Sequence, residues 1–174
     1  MIQNGDICFT MKHDDWASRV IAWFMRSKWS HSFLFGDISQ TRRFIIQANQ
    51  FECAWGNFKQ FQDDPHVSYE VWSPIGASQA LREKVVDKVE AEVGECFGWL
   101  QFISWSIHCL FERIGWEIPN FIRQGWVCDE LVLAGANLYP VLKGIDPKSI
   151  HTQDLYKIVS QSGGFEKVAS EDRA

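Results

Sequence analysis

Cysteine is sparse in this sequence, and several features of secreted and nucleic-acid-binding proteins are missing. The five cysteines stand at positions 8, 53, 96, 109 and 128 without a Cys-x-x-Cys pair, which argues against a disulfide framework and against a zinc finger. Basic blocks are absent and the net charge is −5, so binding to a phosphate backbone is unfavourable. A glycine-rich phosphate loop is also absent. We therefore expect no nucleic acid, no metal and no cofactor.

Signals for export or for membrane insertion are missing as well. The first residues contain neither the basic nor the apolar segment of a signal peptide, which predicts a cytoplasmic protein. The most apolar stretch, residues 97–111, is too short to span a bilayer and is interrupted by polar residues. We interpret it as a buried or groove-lining helix. Contact with a membrane surface stays open as an alternative, because Trp99 and Trp105 could lie at a headgroup boundary.

Aromatic residues, in contrast, are abundant, with nine Trp and 13 Phe among 174 residues. Rings of this size usually fill a core, and the chain is long enough to bury one without disulfides or metals. Some of the rings can also line a cleft for an apolar or ring-bearing ligand. We predict Trp29, Trp105 and Trp126 as residues that contact substrate.

The hydrophobic periodicity predicts strands in the first half of the chain and helices in the second. Strands are predicted at 6–10, 31–35, 43–48 and 67–71, with the second and third forming a hairpin. Helices are predicted at 15–28, 81–94, 128–138 and 152–159. This order predicts an α+β fold, a small antiparallel sheet packed against helices, in one domain over residues 1–162. The polar segment 163–174 is predicted to fray.

Three residues could together form a nucleophilic site. A reactive thiol needs an imidazole to take its proton, and the imidazole needs a third group to hold its ring. Cys128 opens a predicted helix, whose N-terminus can stabilise a thiolate, His31 begins a strand, and Gln47 lies on the next strand. Taken singly, such a cysteine is more often a small buried hydrophobe, and such a histidine is more often structural.

Four short segments, taken in order, resemble a known family. Gly5-Asp6-Ile7-Cys8-Phe9, Ser30-His31-Ser32-Phe33-Leu34-Phe35-Gly36, Phe44-Ile45-Ile46-Gln47-Ala48 and Val127-Cys128-Asp129-Glu130-Leu131-Val132 are similar to the motifs of NlpC-type papain-fold cysteine peptidases. The cysteine follows the histidine by almost 100 residues here, as in the circularly permuted branch that includes YiiX/YebB-like hydrolases and the lecithin:retinol acyltransferase group. In the standard peptidases this order is reversed.

The resemblance implies a permuted papain-like fold with Cys128 as nucleophile, His31 as base and Gln47 as the orienting residue. It implies an acyl-enzyme mechanism on a peptide, amide or acyl-ester substrate. The main hypothesis is therefore a cysteine hydrolase, with a peptidoglycan peptide as the family's commonest substrate. The alternatives are an acyltransferase or lipid-ester hydrolase, with residues 97–111 lining an acyl channel, and a non-catalytic binding module. The last alternative predicts that Cys128 and His31 are too far apart to hydrogen-bond, or that the thiol is unreactive.

Overall fold

Six strands form one sheet in the order β4-β3-β2-β1-β5-β6, and each neighbouring pair is antiparallel. The computed structural model describes residues 1–39, 42–100, 102–104, 107, 111 and 125–173. The strands are β1 (Ile7–Lys12), β2 (His31–Ile38), β3 (Arg43–Ala48), β4 (Cys53–Asn57), β5 (Val67–Pro74) and β6 (Phe165–Glu171).

Five named helices accompany the sheet. They are α1 (Trp16–Phe24), α2 (Lys59–Gln62), α3 (Gln79–Glu90), α4 (Cys128–Ala136) and α5 (Thr152–Gln161), with a short 3₁₀ turn at Pro147–Ser149. Residues 99, 100, 102–104, 107 and 111 are also helical. Within the described part of the chain, no helix has both the length and the apolar character needed to cross a bilayer.

The core lies on both faces of the sheet because successive strand residues point in opposite directions. On β1, Ile7 and Phe9 join the larger cluster, where the sheet packs against α3, α4 and α5 through residues such as Leu131. Cys8 points the other way, into a smaller cluster that includes Phe58 at the start of α2. Helix α4 consequently packs directly on the sheet, with its N-terminus beside the strands that carry the histidine and the glutamine.

A buried ion pair fixes the N-terminal end of β1. Arg82 of α3 donates from Nη1 to Asp6 Oδ1 at 2.7 Å and from Nη2 to Ser73 Oγ at 2.8 Å, and both charged groups are buried. Burial, which outweighs the hydrogen bonds from Gln3 and Arg82, raises the pKa of Asp6. The Gly5-Asp6 pair of the first motif therefore has a structural role: it joins β1, the end of β5 and α3.

The predicted fold class, an α+β protein with an antiparallel sheet against helices, is confirmed, and the hairpin of β2 and β3 is confirmed with it. The expectation that residues 163–174 fray is wrong, because residues 165–171 form the edge strand β6 on β5. Strand β4 was not predicted. Helix α3 ends at Glu90, before the glycine at 94, because residues 91–94 form turns.

Candidate active site

A cavity of about 300 Å³ lies where α1, the ends of β2 and β3, and the N-termini of α4 and α5 meet. His31, Gln47 and Cys128 all line it. Apolar side chains form much of its remaining wall. They are Ala17, Ile21, Met25, Ala48, Phe97, Trp99, Phe102 and Val127. The fold therefore brings the three predicted catalytic side chains to one apolar cavity.

The His31 ring is held in one orientation by a hydrogen bond to strand β3 and by an aromatic ring of helix α2. Its Nε2 lies 2.9 Å from Gln47 Oε1, and its ring stacks on Phe61 with 6.3 Å between centroids. An amide oxygen only accepts, so Nε2 carries the proton and Nδ1 is the basic nitrogen. Burial lowers the pKa of His31, while the bond to Gln47 raises it in part. The neutral imidazole, the form that can take a proton, is therefore favoured.

Gly56 of β4 leaves the space that the Gln47 amide occupies. A Cβ added at Gly56 would lie 2.7 Å from Gln47 Nε2, closer than non-bonded atoms approach. We expect Gly56→Ala to displace this flexible amide at a cost below about 1 kcal/mol in folding stability. Because the bond to Gln47 raises the pKa of His31, its loss should lower that pKa, as measured by an NMR titration of the imidazole.

The matched comparison is Gln47→Leu, which removes the same hydrogen bond directly. Each single variant should lower the pKa of His31. The double variant, Gly56→Ala with Gln47→Leu, should lower it no further than Gln47→Leu alone. An unchanged titration in Gly56→Ala would mean that the amide does not depend on this glycine.

Cys128 is the first residue of α4, and a polar network holds the loop that precedes it. Glu130 Oε2 accepts from the Val127 N–H at 3.5 Å and from Lys148 Nζ at 2.9 Å. Lys148 also donates to the Gly125 carbonyl and lies 4.0 Å from the centroid of the Trp126 ring. Burial raises the pKa of Glu130 to about 7, against the opposing effect of Lys148. The N-terminus of α4 is thereby fixed at the cavity.

The thiol of Cys128 is hydrogen-bonded to Asp129, with Sγ 3.2 Å from Oδ1. Thr152 Oγ1 donates to the same oxygen at 3.4 Å. Asp129 is buried, and burial followed by the proximity of Cys128 raises the pKa of its carboxyl well above the usual range. The neutral acid is therefore favoured, which lowers the electrostatic cost of forming a thiolate next to it.

Two of the three predicted substrate-contacting tryptophans do not line this cavity. Trp29 is fully buried in the core and packs on Tyr156, so the prediction that it touches substrate is wrong. Trp126 donates to Glu92 Oε2 at 2.9 Å, lies beneath Lys148 Nζ and does not line the cavity, so its contact with substrate stays a prediction. Trp105 lies outside the described residues.

The cavity has two further lining residues, of which His151 was missed in the sequence and Trp99 belongs to the stretch 97–111 that was interpreted as a buried or groove-lining helix. His151 lines it, with Nε2 3.1 Å from Asp154 Oδ2, and Trp99 lines it from the apolar stretch. The available signal for His151 was its position immediately before the predicted helix at 152, where a residue faces the helix N-terminus. For Trp99 the apolar character of the stretch indicated a buried or groove-lining position without distinguishing a cavity ring from a core ring.

Comparison with known proteins identifies a relative in fold alone. No family model matches the chain, and no curated protein matches it. Among solved structures, the crystal structure of the metalloprotein yiiX from Escherichia coli O157:H7, DUF1105, aligns with a TM-score of 0.55 and 17% sequence identity, covering 97% of each chain. The chain therefore shares the overall fold of yiiX along nearly its whole length.

Proposed function

We propose that this protein is a cysteine hydrolase that cleaves an amide or ester bond through an acyl-enzyme on Cys128. The observation that carries the proposal is the position of Cys128 at a helix N-terminus in the same cavity as the oriented His31–Gln47 pair. Nucleophile, base and orienting group are the three parts that acyl transfer by a thiol requires. The fold shared with yiiX is consistent with the proposal.

In the first half-reaction His31 Nδ1 takes the thiol proton, and Sγ attacks the carbonyl carbon to form a tetrahedral oxyanion. For this the thiol rotates away from Asp129, its partner in the structure. The Cys128 N–H, in the first turn of α4 where no intrahelical acceptor exists, is suited to stabilise the oxyanion. His31 then returns the proton to the leaving amine or alcohol as the C–N or C–O bond breaks.

In the second half-reaction water attacks the thioester carbonyl. His31 takes a proton from the water, the C–S bond breaks, and the Cys128 thiolate recovers the proton as the acid is released. Gln47 keeps the imidazole in the same tautomer through both halves because its Oε1 accepts only from Nε2–H. Each half-reaction thus begins and ends with a neutral imidazole.

The solved neighbour yiiX is described as a metalloprotein, but the described residues of this chain provide no ready set of metal ligands. In residues 1–39, 42–100 and 125–173, together with the described positions between, no three His, Cys, Asp or Glu side chains converge as ligands. The proposed steps accordingly use protein groups alone.

The apolar walls of the cavity are the observation behind a second candidate function, the same chemistry on a lipid ester, with hydrolysis or acyl transfer as the outcome. Ile21, Phe97 and Phe102 line the cavity next to the nucleophile, and apolar surface of this kind stabilises a hydrocarbon acyl group more than a polar peptide. A peptidoglycan peptide, the family's commonest substrate, would leave these side chains poorly matched.

The alkylation rate of each cysteine with iodoacetamide, followed by peptide mass spectrometry, tests the proposal without a known substrate. At about pH 6 we expect Cys128 to react at least about tenfold faster than Cys96, because an activated thiol reacts where an ordinary thiol is protonated. Cys96 is the more exposed of the two, so exposure alone predicts the opposite order. His31→Ala should remove the advantage of Cys128.

His66→Ala is the matched control, since His66 is exposed and lies outside the cavity. It should leave all alkylation rates unchanged. Equal behaviour of Cys128 and Cys96, or an equal response to both histidine variants, would contradict the proposal and favour a binding module.

A further inference from the structure

Helix α1 has apolar residues on two sides. Ala17 and Ile21 line the cavity, whereas Trp16, Val20 and Trp23 are 70%, 41% and 54% exposed. At 100° per residue these three lie within about 60° of one another around the helix axis. Ala22 is the only residue within α1 that is buried. The helix is therefore an outer wall of the cavity whose exposed face is itself apolar.

An exposed face of this composition indicates an interaction surface. Isolated exposed apolar residues are ordinary, but adjacent ones on one helix face mark contact with a partner or a membrane. Trp16, Val20, Trp23 and Arg19 form a single shallow depression on this face. Tryptophan is suited to a lipid headgroup boundary because its ring is apolar while its N–H donates a hydrogen bond.

The charge of α1 and of the residues that follow it favours an anionic partner. From Trp16 to Gly36 the sequence has no Asp or Glu, while Arg19, Arg26 and Lys28 fall within it, in a chain of net charge −5. Lys28 is paired with Glu70 and Asp172 at 3.7 Å, and Arg26 lies in a depression with Asp154. Of these three residues, Arg19, exposed between the tryptophans, is therefore the cation available to an anionic surface.

A second wall of the cavity, formed by the apolar stretch that begins at Phe97, also has an apolar outer surface. Phe97, Trp99 and Phe102 face the cavity. Large apolar side chains on the outside of the same helical stretch are about half exposed, namely Leu100, Ile103 and Ile107. Two walls of the cavity thus carry apolar side chains both on the surface that lines the cavity and on the surface exposed to solvent. This arrangement is expected of a cavity whose entrance faces the apolar part of a membrane.

We propose that the outer face of α1 docks on an anionic lipid bilayer, with Trp16 and Trp23 at the headgroup boundary and Arg19 against lipid phosphates. Docking would bring the cavity to acyl esters at the interface, and in this one respect the inference rests on the proposed function. The binding itself does not involve Cys128.

Co-sedimentation with vesicles of phosphatidylcholine, alone or with about one-third phosphatidylglycerol, tests the inference. We expect the full chain to bind the anionic vesicles more tightly. Trp16→Ser combined with Trp23→Ser should weaken this binding at least about tenfold, since it removes two anchoring rings. Arg19→Gln should weaken binding to anionic vesicles about fivefold and leave binding to neutral vesicles unchanged, as expected for one cation near a charged surface.

Trp55→Ser is the matched control, because Trp55 is a partly exposed tryptophan that lies outside the cavity and outside α1. It should bind as the wild type does, and so should Cys128→Ala, which separates docking from catalysis. Absence of vesicle binding, or equal loss in the Trp55 and α1 variants, would overturn the inference. So would a dimer in lipid-free solution that the α1 double variant dissociates without any vesicle binding, since the face would then be a self-association surface.

Discussion

Cys128→Ala should reduce the hydrolysis of p-nitrophenyl butyrate by at least about a thousandfold in kcat, because no other group in the proposed mechanism can form the acyl-enzyme. The folding stability should change by less than about 1 kcal/mol, since the side chain is only partly buried. Stopped-flow absorbance gives the rate, and intact-protein mass spectrometry gives the butyryl adduct, which should map to the Cys128 peptide in the wild type.

Two variants make this result specific. Cys96→Ala, at the exposed cysteine, should retain full activity. His31→Ala should lose nearly as much as Cys128→Ala, because residues of one catalytic unit are not additive. Retention of more than about a tenth of the wild-type rate in Cys128→Ala would assign the nucleophile elsewhere.

Arg82→Met should destabilise the fold by about 3–5 kcal/mol, the cost of leaving a buried charge without its partner. Asp6, fully buried, would lose the 2.7 Å bond from Nη1, and Ser73 would lose its donor as well. A loss of this size is a large part of the stability of an ordinary domain. The urea midpoint of unfolding measures it.

The pH dependence of this loss has a definite sign. Burial already raises the pKa of Asp6, and removing Arg82 raises it further. A raised carboxyl pKa contributes stability below its unfolded value that is lost as the pH rises through the folded value. The gap between wild type and Arg82→Met should therefore be smaller at about pH 4 than at about pH 7.

Adding Asp6→Asn to Arg82→Met should recover part of the loss at neutral pH, because the amide carries no charge. Arg42→Met, at an exposed arginine, should cost less than about 0.5 kcal/mol. Equal costs for the two arginine variants would show that the buried pair does not govern stability.

The sequence predicted those elements whose signal is local. Asp15 accepts from the N–H groups of Ala17 and Ser18 at the start of α1, as an N-cap aspartate does. Strands β4 and β6 escaped detection for a common reason. Cys53–Asn57 and Phe165–Glu171 are polar or glycine-containing edge segments, and pairing with β3 and β5 rather than intrinsic propensity makes them strands.

The order of the predicted elements along the chain was enough to place His31, Gln47 and Cys128 near one another. His31 and Gln47 belong to a hairpin whose register brings them together, and Cys128 begins a helix packed on that hairpin. The tryptophans were not predictable in the same way, because nearness in sequence to His31 or Cys128 does not fix the direction of a side chain. Trp29, for example, stands two residues before His31 in the sequence, yet its ring points into the core.

Strand β6 covers the edge of β5, with which other chains could otherwise pair. All eight residues of β5 are buried, and without β6 the hydrogen-bonding edge of that strand would be open to pair with other chains. With β6 in place, the open edge of the sheet belongs to β6 itself. This strand carries charged side chains at Glu166, Lys167 and Glu171, and charge on an edge strand discourages pairing with further chains. Since β6 follows β5 at a long distance along the chain, the free edge of β5 stays open to intermolecular pairing until residues 165–171 have been synthesised and have folded onto it.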